Sequence, residues 1–401
     1  MRDTNPPLTT ALPPSLVWLF ATAAGLSVAN VYYAQPLLAT LAQQFGMTDA
    51  ASGMVITATQ LGCALALLLL VPLGDMLNRR RLTLFQLGLL AICLTALGCA
   101  RSTAALLGGM LMVGLLGTAM TQGLIAYAAS AAASHERGRV VGVAQGGVVI
   151  GLLLARTLSG VVADMADWRA VYFVSAAIAG ALLLLLWRKL PPAQPSHQKL
   201  AYGALLASML AMLMHNKVLR VRGMLALLMF AVFNIFWSAL VLPLTAQGYR
   251  HAAIGAFGLV GVIGALGAAR AGALADKGRA QWTTGAALLL MLAAWLPLGF
   301  ASTALWPLII GIIALDLAGQ AIHVTNQSLI FKHDSDAHSR LVACYMLFYA
   351  VGSGAGAIAA TSVYALAGWH GVCALGAAVS LLALLFWRLT LPTERISSTP
   401  A

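Results

Sequence analysis

The chain has 401 residues, 61% of them hydrophobic and only 8% charged, with a formal net charge of +12 at pH 7. A soluble domain carries about 25% charged residues, so this chain lacks the polar surface that would keep it dissolved. The positive charge is scattered through short turns between apolar stretches, which reads as an orientation signal and excludes nucleic acid as a partner.

Residues 1–14 are polar and proline-rich and lack the basic start of a signal peptide, so the first apolar stretch reads as a retained span. Stretches of about 20 apolar residues, each able to cross roughly 30 Å of hydrocarbon, predict spans at 16–38, 51–73, 82–100, 104–130, 140–163, 170–187, 222–246, 252–274, 281–301, 304–330, 340–364 and 368–388.

Span 1 contains Asn30-Val31-Tyr32-Tyr33-Ala34-Gln35-Pro36. The proline frees backbone carbonyls and can kink the helix. Asn30 and Tyr33 share a face at i, i+3, with Gln35 pointing elsewhere. Gln60 in span 2, Gln122 in span 4 and Gln145 in span 5 are further polar candidates for a solute cavity. The turn after span 2 reads Gly74-Asp75-Met76-Leu77-Asn78-Arg79-Arg80-Arg81. Span 5 carries Gly142-x3-Gly146 and Gly147-x3-Gly151, then Ala155-Arg156-Thr157-Leu158-Ser159-Gly160. Arg156 lies about 12 Å inside the outer end of its span at ~1.5 Å per residue. A mid-membrane charge costs several kcal/mol and normally faces a cavity or a partner.

The segment 188–221 is the longest polar interruption, with Pro191, Pro192 and Pro195. Its apolar part, Leu200–Met214, is too short to span and predicts an interfacial helix. Beyond it, Asn234 and Trp237 in span 7 sit at i, i+3. Span 8 is studded with Gly255, Gly258, Gly261, Gly264 and Gly267, and span 11 with Gly352, Gly354 and Gly356. Such small residues let helices approach closely in lipid, so these spans are expected to pack or slide rather than bind solute. After span 8 comes Gly272-Ala273-Leu274-Ala275-Asp276-Lys277-Gly278-Arg279. Span 10 has the most polar stripe: Asp316, Gln320, His323 and Gln327 at i, i+4, i+7 and i+11, flanked by Asn326. That face cannot point into lipid. Asp316 lies roughly 18 Å inside the outer end of span 10, a depth close enough to that of Arg156 for a salt bridge or a shared water network. The five cysteines fall inside apolar segments without metal-ligand spacing, so neither a metal nor a disulfide is expected.

Alternate turns are basic, among them Arg79-Arg80-Arg81, Arg137 with Arg139, and Lys217 with Arg220; the others are nearly bare. Both termini are therefore expected on the cytoplasmic side, which needs an even span count. The halves also match at an offset of 201 residues, pairing Asp75 with Asp276, Arg139 with Arg340 and Trp168 with Trp369. This predicts an all-α membrane protein of twelve transmembrane helices in two six-helix bundles related by a pseudo-two-fold: a bundle over 1–187, a cytoplasmic linker over 188–221, and a second bundle over 222–401.

With these features the chain resembles the major facilitator superfamily over nearly its whole length. The turn at Gly74–Arg81 is similar to the superfamily's cytoplasmic signature G-x-x-x-D-x-x-G-R-R, with Val71 and Asn78 at its two glycine positions, and the turn at 272–279 is a degenerate copy. The resemblance implies gating by Asp75, Arg79, Arg80, Asp276, Lys277 and Arg279: an Asp at a helix end pairs with Arg in one rocking state and releases it in the other. Span 5 resembles the G-x-x-x-G-P-x-x-G-G motif of the drug:proton antiporter and sugar-efflux-permease-like branch, with Arg156 in place of the proline. That branch often carries an Arg in span 4, absent here, and Arg156 is read as supplying the charge. Many proton-coupled relatives have an acidic residue in span 1, and none is present, which moves coupling to span 10.

The sequence thus points to a secondary transporter of a small solute, driven by protons and working by efflux through antiport, in a bacterial inner membrane, as a monomer and without a cofactor. Proton coupling is assigned to Asp316, His323 and Arg156, and the cavity to Asn30, Tyr33, Gln60, Gln122, Gln145, Asn234, Trp237, Gln320, Asn326 and Gln327. The alternative is proton-linked uptake of an organic anion, favoured by Arg156. A membrane-embedded enzyme is disfavoured by the lack of H-E-x-x-H and G-x-S-x-G. A non-transporting sensor is disfavoured by the lack of an effector domain.

Overall fold

The computed structural model describes residues 12–133, 136–191, 202–301, 304–331 and 338–397, apart from the side chains at 75, 265–269, 275–276, 331, 338–339 and 392–397. Ten of its helices are long and apolar enough to cross a membrane. They resolve into twelve spans once two irregular regions are taken into account. The helix His338–Ser397 turns back at Gly368, whose φ of 62° only glycine adopts readily, giving spans 11 and 12. Span 8 is built from His251–Ala256, a 3₁₀ stretch Phe257–Gly261, and Val262–Leu274. The uninterrupted helix expected over 252–274 is therefore corrected to a helix tightened in its middle.

Short capping devices separate the spans. Thr48, Asn78, Ser102, Asp167 and Asn216 each accept the backbone N–H three residues ahead and so start spans 2, 3, 4, 6 and 7. Span 1 runs further than expected, Pro14–Gln44, with a 3₁₀ turn at Gln35–Leu37 where Pro36 interrupts the α-helical ladder. Span 2, Asp49–Leu70, ends in a π-helical turn before the Leu73–Met76 helix that carries Asp75. The matching turn after span 8 is also π-helical, Ala275–Arg279, and bends at Gly278.

The linker forms a helix at Tyr202–His215; residues 192–201 lie outside the description. Arg340 donates to Ser208 Oγ, Cys344 Sγ to the Met209 carbonyl, and Tyr202 Oη to the Leu69 carbonyl in span 2. The linker thus touches both halves.

Within the first half, span 1 crosses span 5 where Gly147 and Gly151 meet the backbone of Ala21 and Gly25. Between the halves, span 2 packs on span 11 and span 5 on span 8. These two seams enclose the polar crevice.

Candidate functional site

The crevice continues to where span 5 meets the tightened part of span 8. A narrow cavity of about 120 Å³ lies there, with Arg156 and Asp316 on its walls together with Tyr32, Gln35, Asn234 and Trp237. It adjoins a wider cavity of about 250 Å³ that reaches towards the basic end and is lined by Gln122, Gln145, Gln320, His323 and Gln327. Tyr32, Phe230, Phe233, Gln320 and Tyr349 border both.

Arg156 points inward, not to the surface. Its Nε donates to Gln35 Oε1 at 2.5 Å, and its guanidinium lies 4.2 Å from the Trp237 ring centroid and 5.4 Å from that of Tyr32. Cation–π contact with desolvated aromatic faces offsets part of the cost of placing this charge away from water. Asp316, 7% exposed, sits against span 8 where Gly261 and Gly264 leave room for its side chain. Among the described residues no ion pair within 4.0 Å joins Arg156 to Asp316, whereas Arg139–Glu136 and His251–Asp164 do pair at that distance. Arg156 and Asp316 therefore share a cavity without closing into the direct salt bridge considered from sequence.

The tyrosines join the halves: Tyr32 Oη on span 1 meets Tyr349 Oη on span 11. Tyr349 is packed edge-on by Phe230. His323 pairs through Nδ1 with Tyr345 Oη at 3.1 Å.

Several expectations for the cavity are corrected. Asn30 donates to the Leu26 carbonyl and accepts from Ser175 Oγ on span 6, and Tyr33 is 5% exposed on that same inward packing face. The cavity face of span 1 is instead formed by Tyr32, at the end of the α-helix, and Gln35, which opens the 3₁₀ turn. Asn326, fully buried, donates to the Arg222 carbonyl and is a helix–helix contact between spans 10 and 7. Gln60 lies in the seam between spans 2 and 11 rather than on a cavity wall. Gly258 and Gly261 of span 8, expected only to pack, line the narrow cavity. Tyr349, Phe230 and Phe233 went unnoticed because an aromatic residue in a span carries no signal of its direction.

The Asn30→Ala variant should therefore lower thermal stability by about 1 kcal/mol and leave solute affinity unchanged. A melting curve beside a binding isotherm checks this.

Of the gating residues, Arg79 donates to the carbonyls of Gly74 and Ala126, and Arg80 to that of Trp187, which tie the turn to the ends of spans 4 and 6. Lys277 and Arg279 are exposed; the side chains of Asp75 and Asp276 lie outside the description.

At the charge-poor end the crevice is sealed by a contact that sequence reasoning missed. Asp164, near the end of span 5, accepts the backbone N–H of His251 and Ala252 and the His251 ring Nδ1 at 2.7 Å. It thereby caps the first turn of span 8 from the other half. His251 Nε2 reaches Thr40 Oγ1 on span 1 at 2.7 Å. On the other seam, Thr361 Oγ1 donates to the Ala50 carbonyl. Replacing Asp164 with Ala should weaken this seal by about 1 kcal/mol, the scale of a partly exposed charged contact. The expected readout is a roughly fivefold rise in labelling of a cavity cysteine from the charge-poor side; unchanged labelling would deny Asp164 that role.

A family model described as Major Facilitator Superfamily matches residues 20–340. "Uncharacterized transporter YgaY" of Escherichia coli O157:H7 is 43% identical over 94% of this chain and 95% of its own length. "Probable transporter SCO4007" of Streptomyces coelicolor is 31% identical over 90% of this chain and 84% of its own. Among solved structures, a bacterial homologue of the human lysosomal transporter Spinster, crystallised in an inward-facing and occupied conformation, superposes with a TM-score of 0.79. It is 17% identical, covering 96% of this chain and 98% of that one.

Proposed function

The chain belongs to the Major Facilitator Superfamily, and from that premise we propose that it is a proton-coupled secondary transporter that exports a small solute by antiport, with Asp316 taking up and releasing the proton. It is a multi-pass membrane transporter and not an enzyme. The proposal rests chiefly on the placement of Asp316: a carboxylate on the wall of a cavity between the two halves, opposite a cation, beneath a sealed end. A carboxylate there is reached by solvent from one side at a time when the halves rock, as alternating access requires. Arg156 tunes the charge balance of the site, and His323 extends it towards the basic end through the wide cavity. Gln122, Gln145, Gln320 and Gln327 offer hydrogen bonds along the path.

The same proposal places the chain as a monomer in the bacterial inner membrane with its basic turns and both termini in the cytoplasm, and assigns rocking control to the two signature turns. Uptake of an organic anion by symport is the second reading, and Arg156 on the cavity wall favours it. Solute flux into proteoliposomes, measured against a compound panel under an imposed pH gradient, tests both. Antiport predicts solute movement against the proton flow and symport movement with it. A panel solute that crosses at a rate indifferent to the gradient would sink the coupling.

A further inference from the structure

We propose that the narrow cavity binds a zwitterionic α-amino acid with a large apolar side chain, Arg156 holding its carboxylate and Asp316 with Asn234 its ammonium. This rests on the transport reading above and names the solute of that same site.

Two opposite charges, Arg156 and Asp316, share this cavity and do not meet. In a low-dielectric interior such a pair closes unless each member is anchored. Here Gln35 and the Trp237 face hold the guanidinium, while the carboxylate is set against the glycines of span 8. A ligand of a single charge would satisfy one of them and leave the other buried without a counter-charge, which is costly. A ligand carrying both charges neutralises both. A guanidinium presents paired N–H donors that match a carboxylate.

Asn234 supplies an independent requirement. Its Nδ2 donates to the Phe230 carbonyl, while its Oδ1 is buried without a hydrogen-bond partner and the residue lines the narrow cavity. A buried acceptor left unsatisfied costs about 1–3 kcal/mol. An ammonium has three N–H donors, enough for Asn234 and Asp316 together. A simple organic anion has none to give.

An aromatic wall leads out of the narrow cavity. Phe230, Phe233 and Tyr349 border the narrow cavity and continue into the wide one. An apolar side chain running along them stays against apolar surface.

This arrangement also couples the solute to protons. Asp316 faces Arg156 from span 5, Tyr32 from span 1 and Tyr349 from span 11; span 7 brings Asn234 and Trp237, and the described side of span 8 only glycines; His323 lies two turns along its own helix. The solute ammonium and a proton then compete for one carboxylate, which is the exclusion that antiport needs.

Three probes test the inference on the unaltered protein in detergent or nanodiscs by calorimetry. They are L-phenylalanine, N-acetyl-L-phenylalanine, which keeps only the carboxylate, and 2-phenylethylamine, which keeps only the ammonium. L-Phenylalanine should bind at least tenfold more tightly than either analogue. Arg156→Gln should erase its advantage over 2-phenylethylamine, and Asp316→Asn its advantage over the N-acetyl compound. An N-acetyl compound as tight as the amino acid would overturn the proposal in favour of an anion site. A 2-phenylethylamine as tight would overturn it in favour of a cation site, and absence of L-phenylalanine binding would overturn it outright. If a different panel solute is moved by the pH gradient while L-phenylalanine does not bind, the solute assignment falls and proton coupling stands. If L-phenylalanine binds and no gradient moves it, coupling falls and the site stands.

Discussion

Asp316→Asn is expected to reduce gradient-driven solute movement by at least 100-fold while solute–solute exchange at saturating concentration continues. Asn has the shape of Asp, so the site against Gly261 and Gly264 remains filled and the halves can still rock. It cannot take up or release a proton, so nothing ties the direction of rocking to the pH gradient. Two assays on the same proteoliposomes read the outcome, one with a pH gradient and one with labelled solute exchanging against unlabelled. A variant that still concentrates solute at the expense of the gradient would remove Asp316 from the coupling role. One that loses exchange as well, while still binding solute in a calorimetric titration, would make it a residue of the rocking machinery instead.

Gly255→Leu is expected to abolish transport with the protein still folded, by preventing the charge-poor end from sealing. A Cβ at this position would lie 2.2 Å from the Arg156 carbonyl oxygen and 3.0 Å from the Thr157 Cα. Those atoms are backbone, so no side chain can swing aside. The contact is made only when the halves meet at that end, because Gly255 and Arg156 belong to different halves. Overpacking that side chains can relax costs about 1–3 kcal/mol; here the atoms met are backbone on the opposing half, so a leucine is accommodated only by moving the halves apart. The variant should collect in the state open at the charge-poor end. A cysteine at Leu152, in a cysteine-free background, should then react with an impermeant maleimide added on that side.

Gly151→Leu supplies the contrast. Its Cβ would lie 2.2 Å from the Gly25 carbonyl oxygen, a crossing inside one half. That clash is present in every rocking state and should lower folding stability rather than redistribute states. If Gly255→Leu melted like Gly151→Leu and showed no added labelling, the seam between spans 5 and 8 would be a fixed interface and not a gate.

The membrane class, the count of twelve spans and their division into two bundles were legible in the sequence, because a bilayer leaves a chain few choices. Each span must satisfy its own backbone within about 20 apolar residues. Asp316, Gln320, His323 and Gln327 were also legible, since a stripe of polar side chains on one helix face has nowhere to go but inward. Tertiary structure alone decided which neighbours they meet. Asn30 was expected in the cavity and packs on Ser175 instead, because it lies about 200° round the same helix from Tyr32, the residue that lines the cavity. The seal formed by Asp164 and His251 joins residues 87 apart in sequence, in different halves. Arg156 and Asp316 were placed at similar depth by counting residues, but the gap between them depends on what anchors each one. Helical periodicity reports which face of a helix a residue occupies; the distance between two faces on different helices is set by how closely the backbones cross. Here the glycines of span 8 set that approach.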